Sequence, residues 1–373
     1  MYKKGNNGDE SPMVLDPWGA EEIKDYKKLF LEFGLKEFPE EWKKKLGHYL
    51  FERGIVIAHR DFEKVMERIE QNADFIVMTG IASSGKMHFG HKMIVDLVLH
   101  LKKLGGKVFF CIADIDAYTS REKIKTLKEA QEFAVENLAN ALALGLKEED
   151  IYLQSKKEAR YYSFAFEISK KFTNAELRAI YGELTPGKLA ANFLQYADIL
   201  HPQLPEYLGA MPSVTPVALE QDPHMRAVRD VAQRLPYEFV LPSSIYILHQ
   251  SGLKEGKKMS ASEPDTAIFL TDPPEEAKRK IYRAFTGGGG TLQEQKEKGG
   301  KPEVCKVFEI LKYHHPDTEL VEKVFTKCKS GELICGDCKK MCAEFIARFL
   351  EEHKKKYEKA YEKAREIVFG SDL

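Results

Sequence analysis

No stretch of this chain stays apolar for the roughly 20 residues that a bilayer-spanning helix requires. The opening MYKKGNNGDE lacks the charged-then-apolar pattern of a signal peptide. A membrane partner is therefore not expected, and the expected location is the cytoplasm. An excess of charge of one sign is missing too. Lysine and arginine number 57 against 58 acidic residues, a net charge of -1, so the global balance advertises no nucleic acid, and any RNA contact must rest on local basic patches. Disulfides are not expected in a cytosolic chain, which leaves its 6 cysteines for other uses. What is present is 373 residues, 43% of them hydrophobic, enough for a sizeable core and for two domains.

Two short motifs carry the chemistry: MTGIASSGKMHFGH at 78–91 and KKMSAS at 257–262. The first follows an apolar run, Phe75 to Met78, and precedes Met93 to Leu104, whose apolar residues recur at helical spacing. The pattern predicts strand, glycine loop, helix. Gly80 and Gly85 let backbone approach a bound group closely. Ser84 and Gly90 belong to the same loop, and His88 and His91 fall on the first turn of the helix. Such a helix start offers unpaired N–H groups and the positive end of a dipole, so phosphate is its natural guest. In the second motif Lys258 lies beside Met259, Ser260 and Ser262, and a lysine on a mobile loop is a point charge able to follow a migrating pyrophosphate. A P-loop is excluded because Met87 follows Gly85 and Lys86, where that motif needs a hydroxyl for Mg²⁺. A glycine turn with two capping histidines accounts for 78–91 alone but leaves KKMSAS unexplained.

The order of elements predicts an α/β fold, a Rossmann-like, doubly wound parallel sheet followed by an all-helical C-terminal domain. Lys107 to Ala113 reads as strand, 121–144 as a helix ended by Gly145, Ile151 to Gln154 as a short strand, 160–200 as mostly helical, 214–219 as strand and 223–235 as helix. From Asp272, read as an N-cap before Pro273 and Pro274, the pattern turns helical almost to the end. The expected division is an N-terminal extension over 1–70, a catalytic domain over 71–270 with a helical insertion near 160–212, and a helical domain over 271–373. The glycines at 286–290 and 299–301 are read as mobile connectors, since neither opens a helix after a strand.

Polar residues in apolar surroundings mark a small-molecule pocket. Gln195 and Asp198, three apart, share one face of a largely apolar helix, where a carboxylate can accept from an indole N–H or a phenol, or else pair with an arginine. Gln221 and Asp222 fall at a strand-to-helix turn, and Asp114 and Asp116 at a strand end, where either can instead cap the helix from Arg121. Cys305, Cys328, Cys335 and Cys338 are spaced C-x22-C-x6-C-x2-C, which points to a metal; four thiolates fit either zinc or an iron-sulfur cluster. Cys342 and Cys111 read as small buried hydrophobes. The lysine- and glutamate-rich tail from His353 to Arg365 reads as a solvated helix face.

HFGH resembles the HIGH signature and KMSAS the KMSKS signature of class I aminoacyl-tRNA synthetases, in the same order. QYADI at 195–199 and LEQDPHMR at 219–226 are similar to pocket segments of the tryptophanyl and tyrosyl enzymes. AHRDFEKVME at 58–67 and CKSGELICGDCKK at 328–340 resemble the archaeal and eukaryotic tryptophanyl-tRNA synthetases. Tyrosyl enzymes place a tyrosine on the strand before the first motif; Phe75 to Met78 suit an apolar indole better, with Met78 as the pocket residue. Ser83 stands where many relatives have proline, and Cys111 and Met78 where some have glutamine and tyrosine.

The resemblance implies ATP-dependent activation of L-tryptophan and transfer to tRNA(Trp). ATP and Mg²⁺ would be held by Gly80, Ser84, Gly90, His88, His91, Lys258, Met259, Ser260, Ser262 and Asp222, tryptophan by Met78, Asp116, Gln195, Asp198 and Gln221. Catalytic roles fall to His88, His91 and Lys258. The cysteine spacing is similar to that of tryptophanyl enzymes carrying a 4Fe-4S cluster, with Zn²⁺ as the alternative. A homodimer is expected. A tyrosyl enzyme, a nucleotidyltransferase of the same superfamily and a catalytically idle RNA- or metal-binding relative are the other readings.

Overall fold

A computed structural model describes residue 30 and residues 33–256, 259–260 and 263–370. Two short helices, α1 (Glu40–Leu46) and α2 (Tyr49–Glu52), lead into strand β1 (Val56–Arg60) and helix α3 (Glu63–Glu70). The nucleotide-binding pattern follows: β2 (Phe75–Ala82), α4 (Phe89–Lys103), β3 (Gly106–Ala113), the short α5 (Asp114–Ser120), α6 (Leu127–Leu144) and β4 (Ile151–Leu153). Gly145, at φ 120°, ends α6, in a conformation that side chains resist. Three helices, α7 (Ala159–Ser169), α8 (Asn174–Tyr181) and α9 (Pro186–Leu200), separate β4 from β5 (Ser213–Ala218); α10 (Asp222–Ala232) and β6 (Ser243–Ile247) complete the sheet.

The strand order is β1-β6-β5-β2-β3-β4. Neighbours run parallel except the edge pair β1 and β6. Connections leave β2 toward β4 on one side and return through β5 to β6 on the other, so the topology reverses between β2 and β5. A crevice opens there beyond the strands' carboxyl ends, where α/β sheets take their ligands.

Strand periodicity divides the core in two. Phe75, Val77 and Ile81 of β2 face one cluster with Phe110 and Ile112 of β3, while Ile76, Met78, Cys111 and Ala113 face another with Tyr161 of α7 and Tyr196 of α9. Such alternation is what a pleated strand buried on both faces demands.

Beyond Leu270 the chain is helical: α11 (Pro274–Arg283), α12 (Leu292–Lys298), α13 (Lys306–His314), α14 (Thr318–Ser330) and the long α15 (Cys335–Phe369). These helices share the first core with α4 and α6: Leu311, Ile346 and Leu350 lie in one cluster with Val98 and Leu138. Asp272 does not cap α11. Pro273 holds that position, and the Asp272 carboxylate accepts from the Phe269 N–H (3.0 Å) and pairs with Lys280 (2.6 Å), tying the end of the connecting loop to the helix instead.

Candidate active site

His88 is the N-cap of α4. Its Nδ1 accepts from the Gly90 N–H (3.2 Å), while Nδ1 of His91, at the third helical position, accepts from the His88 N–H (3.2 Å). This is a reciprocal capping box with imidazoles in place of the usual hydroxyl and carboxylate. With Nδ1 an acceptor on both rings, the neutral form carries its proton on Nε2. Burial, and in smaller measure His249, push both rings down, with His91 adding to the effect on His88: His91 to about 4 and His88 well below its ordinary value. The pair therefore offers two N–H donors and no positive charge at neutral pH. The rings stack with centroids 3.9 Å apart. Gly90 makes this possible, since a Cβ there would stand 3.0 Å from the His88 ring.

The expectation of unpaired N–H groups at this helix start needs correcting. Phe89 N–H donates to Ile268 C=O (3.1 Å), Gly90 N–H to His88, and His91 N–H to the His88 carbonyl (2.8 Å). The first turn is satisfied internally, so hydrogen bonds to phosphate from this segment must come from the imidazoles and the loop ahead of them.

Phe89 N–H and Leu270 N–H, which donates to Met87 C=O (2.9 Å), form an antiparallel bridge between the histidine motif and the segment after KMSAS. The histidine motif is thus tied to the strand-like segment that follows the second motif in sequence. Met259 is buried, with its N–H toward Gln250 C=O (3.4 Å), and Ser260 C=O accepts from Glu263 N–H (3.3 Å). Lys258 and Ser262 lie outside the described residues. Gly80 pairs in register with Cys111, and a Cβ there would fall 2.4 Å from the Cys111 carbonyl oxygen, so glycine is needed for this close strand approach. Ser84 turns back to Ala82 C=O (2.8 Å).

On the opposite face of β2 lies a buried polar cluster. The Asp198 carboxylate on α9 accepts from Tyr152 OH (2.8 Å), Tyr161 OH (2.6 Å) and Gln154 Nε2 (2.8 Å). It makes no salt bridge among the described residues. Burial pushes its carboxyl up to about 6, the three donors pull it back, and Asp116 adds to the rise. Met78 and Cys111 belong to the same cluster of buried side chains. Gln195 Nε2 meets Gln221 Oε1 (3.4 Å), joining α9 to the turn after β5.

Asp116 accepts from Ser120 (2.7 Å) within α5, and its own N–H donates to Gln154 (2.9 Å). Asp114 is buried and accepts from Ser155 N–H (3.0 Å). Neither caps a helix from Arg121; Thr126 caps α6. Asp222 is buried at the start of α10, paired with Arg60 (2.8 Å) and Arg226 (3.1 Å) and accepting from Tyr246 OH.

Sequence reasoning missed Tyr152, Gln154 and Tyr161, the partners of Asp198. It also missed His249, which pairs with Glu220 at 3.1 Å and acts electrostatically on both signature histidines. None of these lies in a recognisable motif.

In the C-terminal helices, Cys305 caps α13, its Sγ accepting from Phe308 N–H (3.4 Å), Cys328 closes α14, and Cys335 and Cys338 begin α15. Cys328 is pushed up to about 11 and Cys338 to about 12, first by burial and then by the neighbouring thiols. The glycines read as connectors lie against these sulfurs: a Cβ on Gly288 would fall 2.5 Å from Cys335 Sγ, and one on Gly300 2.7 Å from Cys328 Sγ. Among the described residues, however, no group of three or more His, Cys, Asp or Glu side chains forms a ligand set for a metal ion. The expected metal centre therefore finds neighbouring thiols but no assembled site. No helix among the described residues is long and apolar enough to cross a membrane.

A doubly wound sheet with a histidine-capped helix at its switch point and a second loop bridged onto it defines a nucleotide-using α/β enzyme architecture. Residues 70–351 match the model of the family described as tRNA synthetases class I (W and Y). A tryptophan–tRNA ligase of Aeropyrum pernix is 46% identical over 88% of this chain and 91% of its own length. One of Methanocaldococcus jannaschii is 44% identical over 89% and 92%. The crystal structure of the Aeropyrum pernix tryptophanyl-tRNA synthetase superposes with a TM-score of 0.87 at 45% identity, covering 96% of this chain and 100% of that one. A tryptophan-bound synthetase from Encephalitozoon cuniculi gives 0.80 at 26% identity, over 93% and 98%. The chain belongs to the class I tRNA synthetases, and within them to the tryptophanyl-tRNA synthetase family.

Proposed function

We propose that this enzyme activates L-tryptophan with MgATP and transfers it to the 3' end of tRNA(Trp). The observation that carries this reading is the bridge between Met87–Phe89 and Ile268–Leu270, which ties the histidine motif to the segment just after KMSAS at the crevice where the sheet topology reverses. In the first step a tryptophan carboxylate oxygen attacks the α-phosphorus of ATP, a new O–P bond forms, the bond to the β-phosphate oxygen breaks and pyrophosphate leaves. A carboxylate is already an adequate nucleophile, so the protein's task is positioning and charge stabilisation. His88 and His91 would donate Nε2–H to phosphoryl oxygens and Lys258 would meet the charge developing on the leaving phosphates. Gly80, Ser84 and Gly90 would leave room for ATP, with Met259, Ser260, Ser262 and Asp222 completing or supporting that site. In the second step a hydroxyl of the terminal ribose attacks the acyl carbon and AMP leaves.

For tryptophan we assign Asp198 as acceptor of the indole N–H. Two carboxylate oxygens offer about four lone-pair sites; three are taken by protein donors. Met78 supplies the apolar wall, and Asp116, Gln195 and Gln221 the polar end. We further assign residues 71–270 to catalysis, with 160–212 as a helical insertion, and 271–373 to anticodon binding, in a cytoplasmic homodimer. A cluster or zinc held by Cys305, Cys328, Cys335 and Cys338 would fasten the helices of that second region. Its support is the mutual influence of the thiols and the glycines packed on them; iron, sulfide and zinc analysis after anaerobic purification decides it. The central test is ATP–pyrophosphate exchange across the amino acids. Exchange driven by tryptophan is expected, and exchange driven by tyrosine alone would overturn the assignment.

A further inference from the structure

A chain of polar side chains, buried apart from a half-buried glutamate, runs from the histidine motif to the long C-terminal helix. Glu136, in the middle of α6, accepts through Oε2 from the N–H of Met87 (3.2 Å), the residue before His88. The same oxygen accepts from Asn137 Nδ2 (2.6 Å), which also donates to Gly85 C=O (3.0 Å). Both ends of the Gly85–Met87 loop are thereby held by two consecutive residues of α6. Through Oε1, Glu136 accepts from Asn140 Nδ2 (2.8 Å), and Asn140 Oδ1 lies 2.7 Å from Nε2 of His353 on α15. Asn137, Asn140 and His353 are each at most 3% exposed.

The hydrogen bonds give this chain a direction. Both Glu136 oxygens accept, Oε2 from Met87 and Asn137 and Oε1 from Asn140, so Asn140 presents its amide N–H₂ to Glu136 and its oxygen to His353, which must then carry its proton on Nε2. Burial, with Lys356 and Lys92 adding to the effect, pushes His353 down to about 4, so the ring is neutral and able to serve in that tautomer. An apolar contact runs alongside: His353 stacks on Phe349 (5.5 Å, 15°), and Phe349 meets Phe89, the first residue of α4, edge to face (5.3 Å, 65°). The role proposed for the HFGH residues explains neither this acid nor its link to His353, 217 residues further along the chain.

We infer that Glu136 is a positioning residue for the reaction, and that the chain His353–Asn140–Glu136 lets the seating of the C-terminal helix set the position of the Gly85–His88 loop. This rests on the proposed activation of tryptophan and deepens it. It makes the ATP half of the site responsive to the helical region assigned to tRNA, while the Asp198 pocket, on the other face of β2, stands apart from it. Burial holds the Glu136 carboxyl up at about 7, although three hydrogen bonds and Lys86 pull it down.

Three variants separate positioning from mere stability. Glu136→Gln replaces one accepting oxygen with a donor. His353→Phe keeps a ring against Phe349 and removes only the donor, and His353→Gln restores a donor at nearly the Nε2 position. Tryptophan-dependent ATP–pyrophosphate exchange on the full chain should show Glu136→Gln raising the KM for ATP and lowering kcat by roughly 10- to 100-fold, the scale of a slight misplacement, with the KM for tryptophan within twofold. His353→Phe should give the same pattern in weaker form, and His353→Gln should return it toward wild type. MgATP affinity measured calorimetrically without tryptophan gives a second readout. If the wild type bound MgATP but exchanged only with another amino acid, the tryptophan reading would fall while weakened ATP binding in Glu136→Gln still upheld this one. Variants that melt earlier yet keep wild-type ATP affinity and kcat, or that raise both KM values alike, would overturn the inference.

Discussion

The histidine motif and the Asp198 cluster are both largely withdrawn from solvent, both titratable and set on opposite faces of β2, yet they are built in opposite ways. His88 and His91 are organised by their own backbone: donors and acceptors lie two or three residues away. Asp198 is organised by side chains 37 to 46 residues distant, from β4, the turn after it and α7. A locally built site survives most changes elsewhere and advertises itself as a motif. A site built at long range depends on several elements arriving together, and leaves no mark in any one of them. The difference predicts that the first site can be altered chemically at little structural cost, whereas any change at the second will mix chemistry with stability.

The largest effect is expected from His88→Asn. Asparagine is among the best N-caps, so it should keep α4 capped and limit the stability cost to the ring stack lost against His91, about 1 kcal/mol, the usual size for a point substitution. It cannot reach as far as Nε2. Loss of one preorganised donor should lower the kcat of pyrophosphate exchange by about 10²-fold, with tryptophan affinity unchanged. A larger loss of stability in urea would show that the two sites are not built so differently.

Asp198→Asn should behave in the contrasting manner. The amide keeps one acceptor but turns a donor toward groups that already donate, two phenols and the Gln154 amide. Losing a bond to a charged acceptor in a dry site costs about 1.5–3 kcal/mol. Part of this should appear in kcat/KM for tryptophan, roughly a 10- to 100-fold loss, and part in the unfolding free energy. Both are read from one preparation; a purely kinetic effect would contradict the long-range construction.

This contrast also explains what could be read from the residues alone. The apolar runs of β2 and β3, the helix stop at Gly145 and the two signature motifs were legible because each is a local pattern. The anticipated strand and helix at 214–219 and 223–235 correspond to β5 (Ser213–Ala218) and α10 (Asp222–Ala232). The satisfied Phe89 N–H at the start of α4 was not legible, since Ile268 reaches it across the fold, and the Gly90 N–H is taken up by the His88 ring. Tyr152 and Tyr161 lie in no motif, and their hydroxyls meet Asp198 only because β4 and α7 both reach α9 in the fold. The glycines near 288 and 300 gave no sign of the sulfurs that need their missing Cβ atoms. Asp272 failed as a cap because Lys280 and the Phe269 N–H compete for its carboxylate.

The two regions should also part on titration. Asp198 has its folded value raised from 3.8 to about 6, chiefly by burial. Its contribution to stability is therefore fully present below 3.8 and is lost as pH rises through about 6. Recognition runs the other way, because accepting the indole N–H requires the ionised form. The KM for tryptophan should climb as pH falls below about 6, approaching tenfold per unit. His91 is lowered from 6.5 to about 4, also by burial, so its contribution to stability is present above 6.5 and is lost progressively as pH falls from there through about 4, while the folded ring itself stays neutral down to about 4. The KM for ATP should accordingly hold steady between pH 6 and 5, over which the tryptophan value moves; steady-state exchange at both pH values checks it, and equal movement of the two would remove the distinction.

The smallest effect serves as the control for the others. Thr126 caps α6, its Oγ1 accepting from the Glu129 N–H (3.1 Å), and lies at the exposed end of that helix. Removing such a cap costs about 1 kcal/mol of stability. Glu136 lies ten residues further along the helix, or roughly 15 Å at 1.5 Å per residue. Thr126→Ala should therefore shift the urea midpoint while kcat and the KM values for ATP and tryptophan stay within twofold. If the KM for ATP rose instead, fraying of α6 itself would be enough to displace the histidine loop. The loop would then owe its position to the stability of a distant helix end, and the local construction assigned to the histidine motif would have to be given up.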